Sequence, residues 1–526
     1  MTINPPGGGR SPATAVPPRG ASEPRETERR PDPFGMPWTA WAIALGMLVL
    51  LVAVANGYGF HRDELYFILA GRHPAFGYVD QPPFTPLLTA AAVALFGLSP
   101  LAVRLAPAVA AAGVVLLAAD LARRFGAARS GQALAALVLA LSGWLGAGHL
   151  DVTVTFDVCF WTLALWLLVP LLDASAEDPD RRWRWLGLGL VAGVALENKT
   201  LALTLPATVG ASLLLLRRWD VLRQLWPWVA AILALAIWLP NLAWQVTHGF
   251  PQVTMAQAIA ADQGPGLGGR VKAIVELLAL AGPLLFPVSI AGIVWLLRSP
   301  RGRPWRPLGV AVLLQVALML IADGKSYYSA GFLPLAVAAG SLPLERWLQG
   351  GRTRLRRLGF GCVAALSGTA VALLMLPLVP VTSLHETPIP AIYAESVAQV
   401  GWPQLARQVE AVVAVLPVAQ RQAAVIVTAD YGQYSALTLL GAHLPPVYSG
   451  HNSTWDWGRP PDGAAPVILV AFDPHAATAW FAGCQVAATI DNGDDLPTQE
   501  QGAPILICER PRLAWPALWP SLRHVN

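Results

Sequence analysis

Charge is scarce in this chain. Asp, Glu, Lys and Arg make up 13% of its 526 residues, against about 25% in soluble globular proteins. Lysine is nearly missing, with only Lys199, Lys272 and Lys325. Cysteine occurs at four positions. No phosphate-binding loop of the Gly-x-x-x-x-Gly-Lys type follows a strand, no Cys/His spacing suits zinc, and no Gly-x-Ser-x-Gly elbow is present. No repeat at a fixed period is evident. A net charge of +4 is too small to suggest a polyanion partner. Together these features exclude a disordered protein, a nucleic-acid binder and an ordinary cytosolic enzyme.

What is abundant is apolar sequence: 55% of the chain is hydrophobic and mean hydropathy is +0.50. A membrane helix needs about 20 apolar residues to cross a hydrocarbon core about 30 Å thick. Such runs fall near 38–57, 99–121, 131–149, 152–172, 185–197, 200–216, 225–246, 278–298, 306–322, 327–348 and 358–381. The expected fold is therefore a polytopic α-helical membrane protein of about 11 transmembrane helices. Arginine clusters punctuate alternate loops: Arg123/Arg124/Arg129, Arg181/Arg182/Arg184, Arg217/Arg218/Arg223, Arg298/Arg301/Arg303/Arg306 and Arg346/Arg352/Arg354/Arg356/Arg357. With the five arginines of the N-terminal segment inside, every cluster falls on the cytoplasmic side. The expected location is the plasma (inner) membrane, multi-pass, with the N-terminus cytoplasmic.

Residues 1–36 are rich in Pro, Gly, Arg and Glu and read as a disordered cytoplasmic tail. Residues 37–384 read as the membrane domain, with a first outer loop at 58–98. From 385 to 526 the apolar runs shorten to strand length at Ala424–Thr428, Pro466–Phe472 and Pro504–Cys508. Helical stretches accompany them at Pro403–Leu416 and Tyr434–Gly441. This pattern predicts an extracytoplasmic α/β domain. Cys484 and Cys508 both lie there, where a disulfide can persist. Cys159 and Cys362 read as small core residues within spans.

The polar residues that remain gather on one side. On this topology all three lysines and all nine histidines fall at the outer face. The first outer loop carries His61-Arg62-Asp63-Glu64 and then Asp80-Gln81-Pro82-Pro83. A carboxylate at the mouth of a membrane domain can act as a general base toward an acceptor hydroxyl. Arg62 can steady an anionic leaving group. The same Asp-Glu pair also suits the first turn of a helix, where acids favour the dipole, and both readings stand at this stage. Asp157 lies about one turn inside the fourth span, where a carboxylate is costly unless paired or facing a polar cavity. Lys199, in Glu197-Asn198-Lys199-Thr200, and Lys325, in Asp323-Gly324-Lys325-Ser326-Tyr327-Tyr328, can each reach a phosphate as a point charge. Tyr328 can join them or serve as an interfacial anchor. No metal site is read from these residues and no cofactor is implied, though acids of this kind can recruit a divalent cation.

These loops in series resemble a known family. The segments HRDELYFILAGRHPAFGYVDQPP, TFDVCFWT, LENKT, LPNLAWQVTHGFP and DGKSYY are similar to bacterial membrane glycosyltransferases of family 39, the protein O-mannosyltransferase-like group with a GT-C fold. ADYGQYSALTLLG and LPPVYSGHNSTWDWG extend the likeness into the C-terminal part. A more remote resemblance is to the aminoarabinose transferase that modifies lipid A. The resemblance implies transfer of a sugar from a polyprenyl-phosphate donor to a glycan, lipid or protein acceptor outside the membrane. It implies Asp63 as catalytic base supported by Glu64, with Asp80, Asp157 and Lys199 in the substrate site. The position after Asp80 is commonly Lys or His in the family; here it is Gln81, which brings no positive charge. Phosphate binding then leans on Arg62, Lys199 or Lys325. A glycan-binding membrane protein and a transporter or flippase of lipid-linked sugars are the competing readings. The first would use the aromatic run Tyr448–Trp457. The second predicts an internal repeat and broken helices at the midplane.

The charge balance splits accordingly. The N-terminal segment and cytoplasmic loops hold 23 basic and 11 acidic residues, leaving 13 basic and 21 acidic outside. The modest net charge is the sum of two opposed faces.

Overall fold

The computed structural model describes residues 1–4, 35–173, 180–262 and 266–525. The expected N-terminal tail lies almost wholly outside the described residues. Met36–Asn526 form one compact unit, so the parts expected on either side of 384 pack together.

The first eight helices are α1 (Trp38–Val54), α2 (Arg62–Arg72), α3 (Phe84–Phe96), α4 (Pro100–Arg124), α5 (Arg129–Ala140), α6 (Trp144–Ala147), α7 (Thr153–Leu172) and α8 (Arg181–Asn198). Among the described residues, five helices are long and apolar enough to cross a membrane: α4, α7, Leu225–Thr247, Arg303–Ile321 and Thr353–Met375. Four shorter apolar helices accompany them, including α1, α3 and Phe286–Arg298. The segment expected to span at 131–149 breaks after Ala140 and restarts as α6. The segment expected at 327–348 opens as a 3-10 turn, Ser326–Phe332, before becoming helical at Leu333–Gln349. The first outer loop is itself largely helical, formed by α2 and α3.

Local chemistry explains these boundaries. Ser99 caps α4, its hydroxyl accepting from Ala102 N at 3.2 Å, and Pro100 sits at the first helical position. Alanine faces such as Ala40/Ala44 on α1, Ala111/Ala118 on α4 and Ala135 on α5 are buried together. Small residues let backbones approach where lipid supplies no hydrophobic drive between helices. The closest approach is between Phe286–Arg298 and Leu333–Gln349. A Cβ on Gly292 would strike Ala336 O, and one on Gly340 would strike Val288 O. Outward-facing Leu225, Ile232, Leu235 and Leu239 leave an apolar surface on Leu225–Thr247. Cys159 is partly buried, whereas Cys362, expected in the core, is exposed.

The C-terminal part carries β1 (Val425–Thr428), β2 (Val447–Ser449), β3 (Val467–Val470), β4 (Phe481–Ala482), β5 (Gln485–Thr489), β6 (Pro504–Cys508) and β7 (Arg510–Pro511). The main sheet runs β2-β1-β3-β6-β5. β1 pairs in parallel with β2 and β3, while β6 is antiparallel to β3 and β5. The three expected strands are β1, β3 and β6, buried in the middle of the sheet. The flanking β2 and β5 were not anticipated: β2 has three residues, and β5 is mostly exposed, so neither makes an apolar run. Helices Trp402–Ala414 and Tyr431–Leu440 cover one face. Cys484 and Cys508 form a disulfide.

Candidate active site

The site is built on the N-terminus of α2. His61 is its cap: His61 Nδ1 accepts from Asp63 N at 3.2 Å, and Glu64 Oε2 accepts from His61 N at 2.8 Å. This capping box satisfies two otherwise orphaned N–H groups. With Nδ1 accepting, Nε2 carries the proton and donates to Glu395 Oε2 at 2.8 Å. Burial would lower the His61 pKa, but the Glu395 hydrogen bond and the charges of Asp63 and Glu395 outweigh it and hold it above the ordinary value. Glu395 is pushed down to about 2; desolvation opposes this, and His61, Arg62 and Lys325 overcome it.

The two acids of the loop face different ways. Glu64 is fully buried and makes a bidentate pair with Arg104 of α4, at 2.8 Å for both bonds. It also accepts from Asp151 N at 3.0 Å. Arg104 further donates to Ala55 O at 2.6 Å, Gly59 O at 2.7 Å and Gln399 Oε1 at 3.1 Å. Glu64 thus anchors the loop to the helical body. Asp63 points outward, its side chain 30% exposed. Its Oδ1 accepts from Tyr431 Oη at 2.7 Å and lies 3.7 Å from Arg62 Nε. Its Oδ2 lies 4.0 Å from His61 Nδ1 and has no hydrogen-bond partner among the described residues.

The remaining expected residues arrive from other loops. Asn198, at the end of α8, is fixed by Thr85 of α3 at 2.7 Å and donates to Thr153 O at 3.0 Å. The next residue, Lys199, places Nζ 4.7 Å from the Tyr327 ring centre and 5.4 Å from that of Tyr328. Asp157 is buried on α7, and its Oδ1 has no hydrogen-bond partner among the described residues. Lys199 is within electrostatic reach of Asp157, Lys325 and Asp63, and Lys325 of Glu395. Asp80 accepts from Tyr66 Oη at 2.8 Å. Gln81 is buried, its side-chain amide nitrogen without a partner among the described residues. Asp151 accepts from Thr89 Oγ1 at 2.5 Å. Among the described residues, no group of three or more His, Cys, Asp or Glu is arranged to hold a metal ion.

Four residues of this cluster were missed in the sequence: Arg104, Glu395, Gln399 and Tyr431. Arg104 did leave a signal, as a charge inside the apolar run 99–121. The other three lie more than 290 positions from their partners, and no periodicity links such pairs. The aromatic run Tyr448–Trp457 packs in part against α2. Trp457 stacks on Tyr66 at 5.7 Å and on His73 at 4.7 Å. Beyond it opens a cleft of about 610 Å³ lined by Arg72, His73, Trp244, His248 and Asp456.

A helical body whose first loop is covered by a C-terminal α/β part is an arrangement with counterparts among known proteins. Residues 80–244 match the family model of dolichyl-phosphate-mannose-protein mannosyltransferase. No curated protein matches the sequence. Among solved structures, ArnT from Cupriavidus metallidurans bound to undecaprenyl phosphate aligns with a TM-score of 0.60 at 15% identity. That alignment covers 90% of this chain and 98% of the other. Apo ArnT from the same organism gives 0.58 at 15% identity, covering 89% and 97%. At such identity the likeness is one of fold, and it takes in the helical body and the C-terminal part together.

Proposed function

We propose that this chain is a membrane glycosyltransferase that moves a sugar from a polyprenyl-phosphate donor to an acceptor at the outer face, with Asp63 as general base. One observation carries the reading: the outward-facing Asp63 lies beside Arg62 and within electrostatic reach of Lys199, which in turn is within reach of Lys325, although the groups come from three separate loops. The undecaprenyl phosphate bound by the similarly folded ArnT supports a lipid-phosphate donor.

In this reading the polyprenyl tail stays in the bilayer and its phosphate sits at the interface. The acceptor hydroxyl attacks the anomeric carbon while the bond from that carbon to the phosphate oxygen breaks. The electron pair leaves on the phosphate, which remains on its lipid. The hydroxyl proton passes to Asp63. A single displacement inverts the anomeric centre. Lys199 and Lys325 neutralise the leaving phosphate as point charges, replacing the charge that Gln81 lacks. Glu64 acts through position, by fixing α2. The membrane part is 37–384 and the outer part 385–526, with the N-terminus cytoplasmic, as the arginine-bearing loops favour.

The test is transfer by the purified full chain from labelled undecaprenyl-phosphate sugars to a cell-envelope extract. Asp63→Asn should lower turnover by about 10²–10⁴-fold, the span of general-base catalysis. Unchanged transfer removes Asp63 as base.

A further inference from the structure

The two carboxylate oxygens of Asp63 have different surroundings. Oδ1 accepts from Tyr431 Oη at 2.7 Å, while Oδ2 has no hydrogen-bond donor among the described residues and lies 4.0 Å from His61 Nδ1. Tyr431 comes from the C-terminal part, 368 positions away, and its placement is strongly constrained. It is the first residue of helix Tyr431–Leu440, whose cap Asp430 accepts from Gly432 N at 2.5 Å. Asp430 N in turn donates to Gln433 Oε1 at 3.3 Å. Tyr431 N donates to His451 Nδ1 at 3.3 Å. The ring is held between Tyr66, at 4.9 Å, and His451, at 5.0 Å. A Cβ on Gly432 would lie 3.2 Å from Arg62 Cβ, so this helix starts hard against α2. Asp430 and His451 follow the carboxyl ends of the parallel strands β1 and β2, the end where open α/β sheets carry their sites.

We propose that Tyr431 is a positioning residue for the general base. Its hydroxyl fixes one carboxylate oxygen of Asp63 and turns the other toward the acceptor, so the C-terminal part completes the catalytic centre. This rests on the reading of Asp63 as base. A base contributes only while it stays within hydrogen-bond reach of the proton it takes, and a displacement of about 1 Å can cost on the order of 10²-fold.

Tyr431→Phe removes the hydroxyl and keeps both ring contacts. The full chain in lipid nanodiscs, as wild type, Tyr431→Phe and Asp63→Asn, is assayed with the labelled undecaprenyl-phosphate sugar that the wild type turns over. The expected result for Tyr431→Phe is a kcat about tenfold or more below wild type. Its KM for the donor should stay within about twofold and its thermal midpoint should be unchanged, as a loss confined to the transition state requires. Three results would overturn the proposal: an unchanged kcat, a raised donor KM, or a kcat loss that tracks a lowered midpoint. Asp63→Asn separates the two levels. If it keeps its turnover, the base reading fails and the role of Tyr431 fails with it. If it is inactive while Tyr431→Phe retains its kcat, only the positioning role is lost.

Discussion

Burial lifts the carboxyl of Asp80 to about 6, against the hydrogen bond from Tyr66 and with help from the negative charge of Asp63. The sign of the consequence follows from linkage. The folded chain holds this proton more tightly than the unfolded one, whose value is 3.8, so stability from this group falls as pH rises between about 4 and 6. Thermal midpoints of wild type and Asp80→Asn, measured across that interval, should diverge as pH rises and run parallel above about 7. A constant difference would remove Asp80 as the titrating group. Asp63, Asp80, Asp157 and Lys199 stand out in the sequence because charge is so costly beside an apolar run. The opposite surroundings of Asp63 and Glu64 do not. Asp63 and Glu64 are adjacent letters, and only the turn of α2 sends one to solvent and the other to Arg104.

Along α2 the loop is gripped from three directions: Arg104 from beneath, Glu395 at the cap and Tyr431 at the first turn. The Glu64–Arg104 pair is the deepest of these. Breaking a buried pair strands an unpaired charge and costs about 3–5 kcal/mol. Arg104→Ala should therefore lower the yield of folded protein and the thermal midpoint sharply, and Asp63→Asn should not; a midpoint for Arg104→Ala equal to wild type would remove the anchoring role. Between the helices Phe286–Arg298 and Leu333–Gln349 the contact is backbone to backbone. Gly340→Val should push them apart, at a cost of at least about 1–3 kcal/mol, as in overpacked cores, measured by the same unfolding assay. The existence of most helices could be read from apolar runs. Their breaks could not, since Leu141–Gly143 and Ser326–Phe332 are as apolar or small as their neighbours, and the turn there answers to packing.

The helical body and the sheet form one unit, and the first outer loop is the joint between them. A chain truncated after 384 loses Glu395, Gln399 and Tyr431 together. It should insert in membranes yet show no transfer above background in the nanodisc assay; full activity of the truncation would mean that the C-terminal part is dispensable. The α/β character of that part was visible in three short runs, because buried central strands are continuous in β-branched and apolar residues. Its place against the first loop was not, because contacts hundreds of residues apart leave no local pattern.

The hydrogen bond from His61 to Glu395 joins positions 334 apart. At about 5–20 residues per second, a ribosome needs roughly 20–70 s to travel from one to the other. For that interval the growing chain already holds Glu64 and Arg104 but lacks the partners of His61 and Asp63. The contacts that complete the first loop therefore form last in the life of the nascent chain, once the final segment has been made and has reached the loop that waits for it.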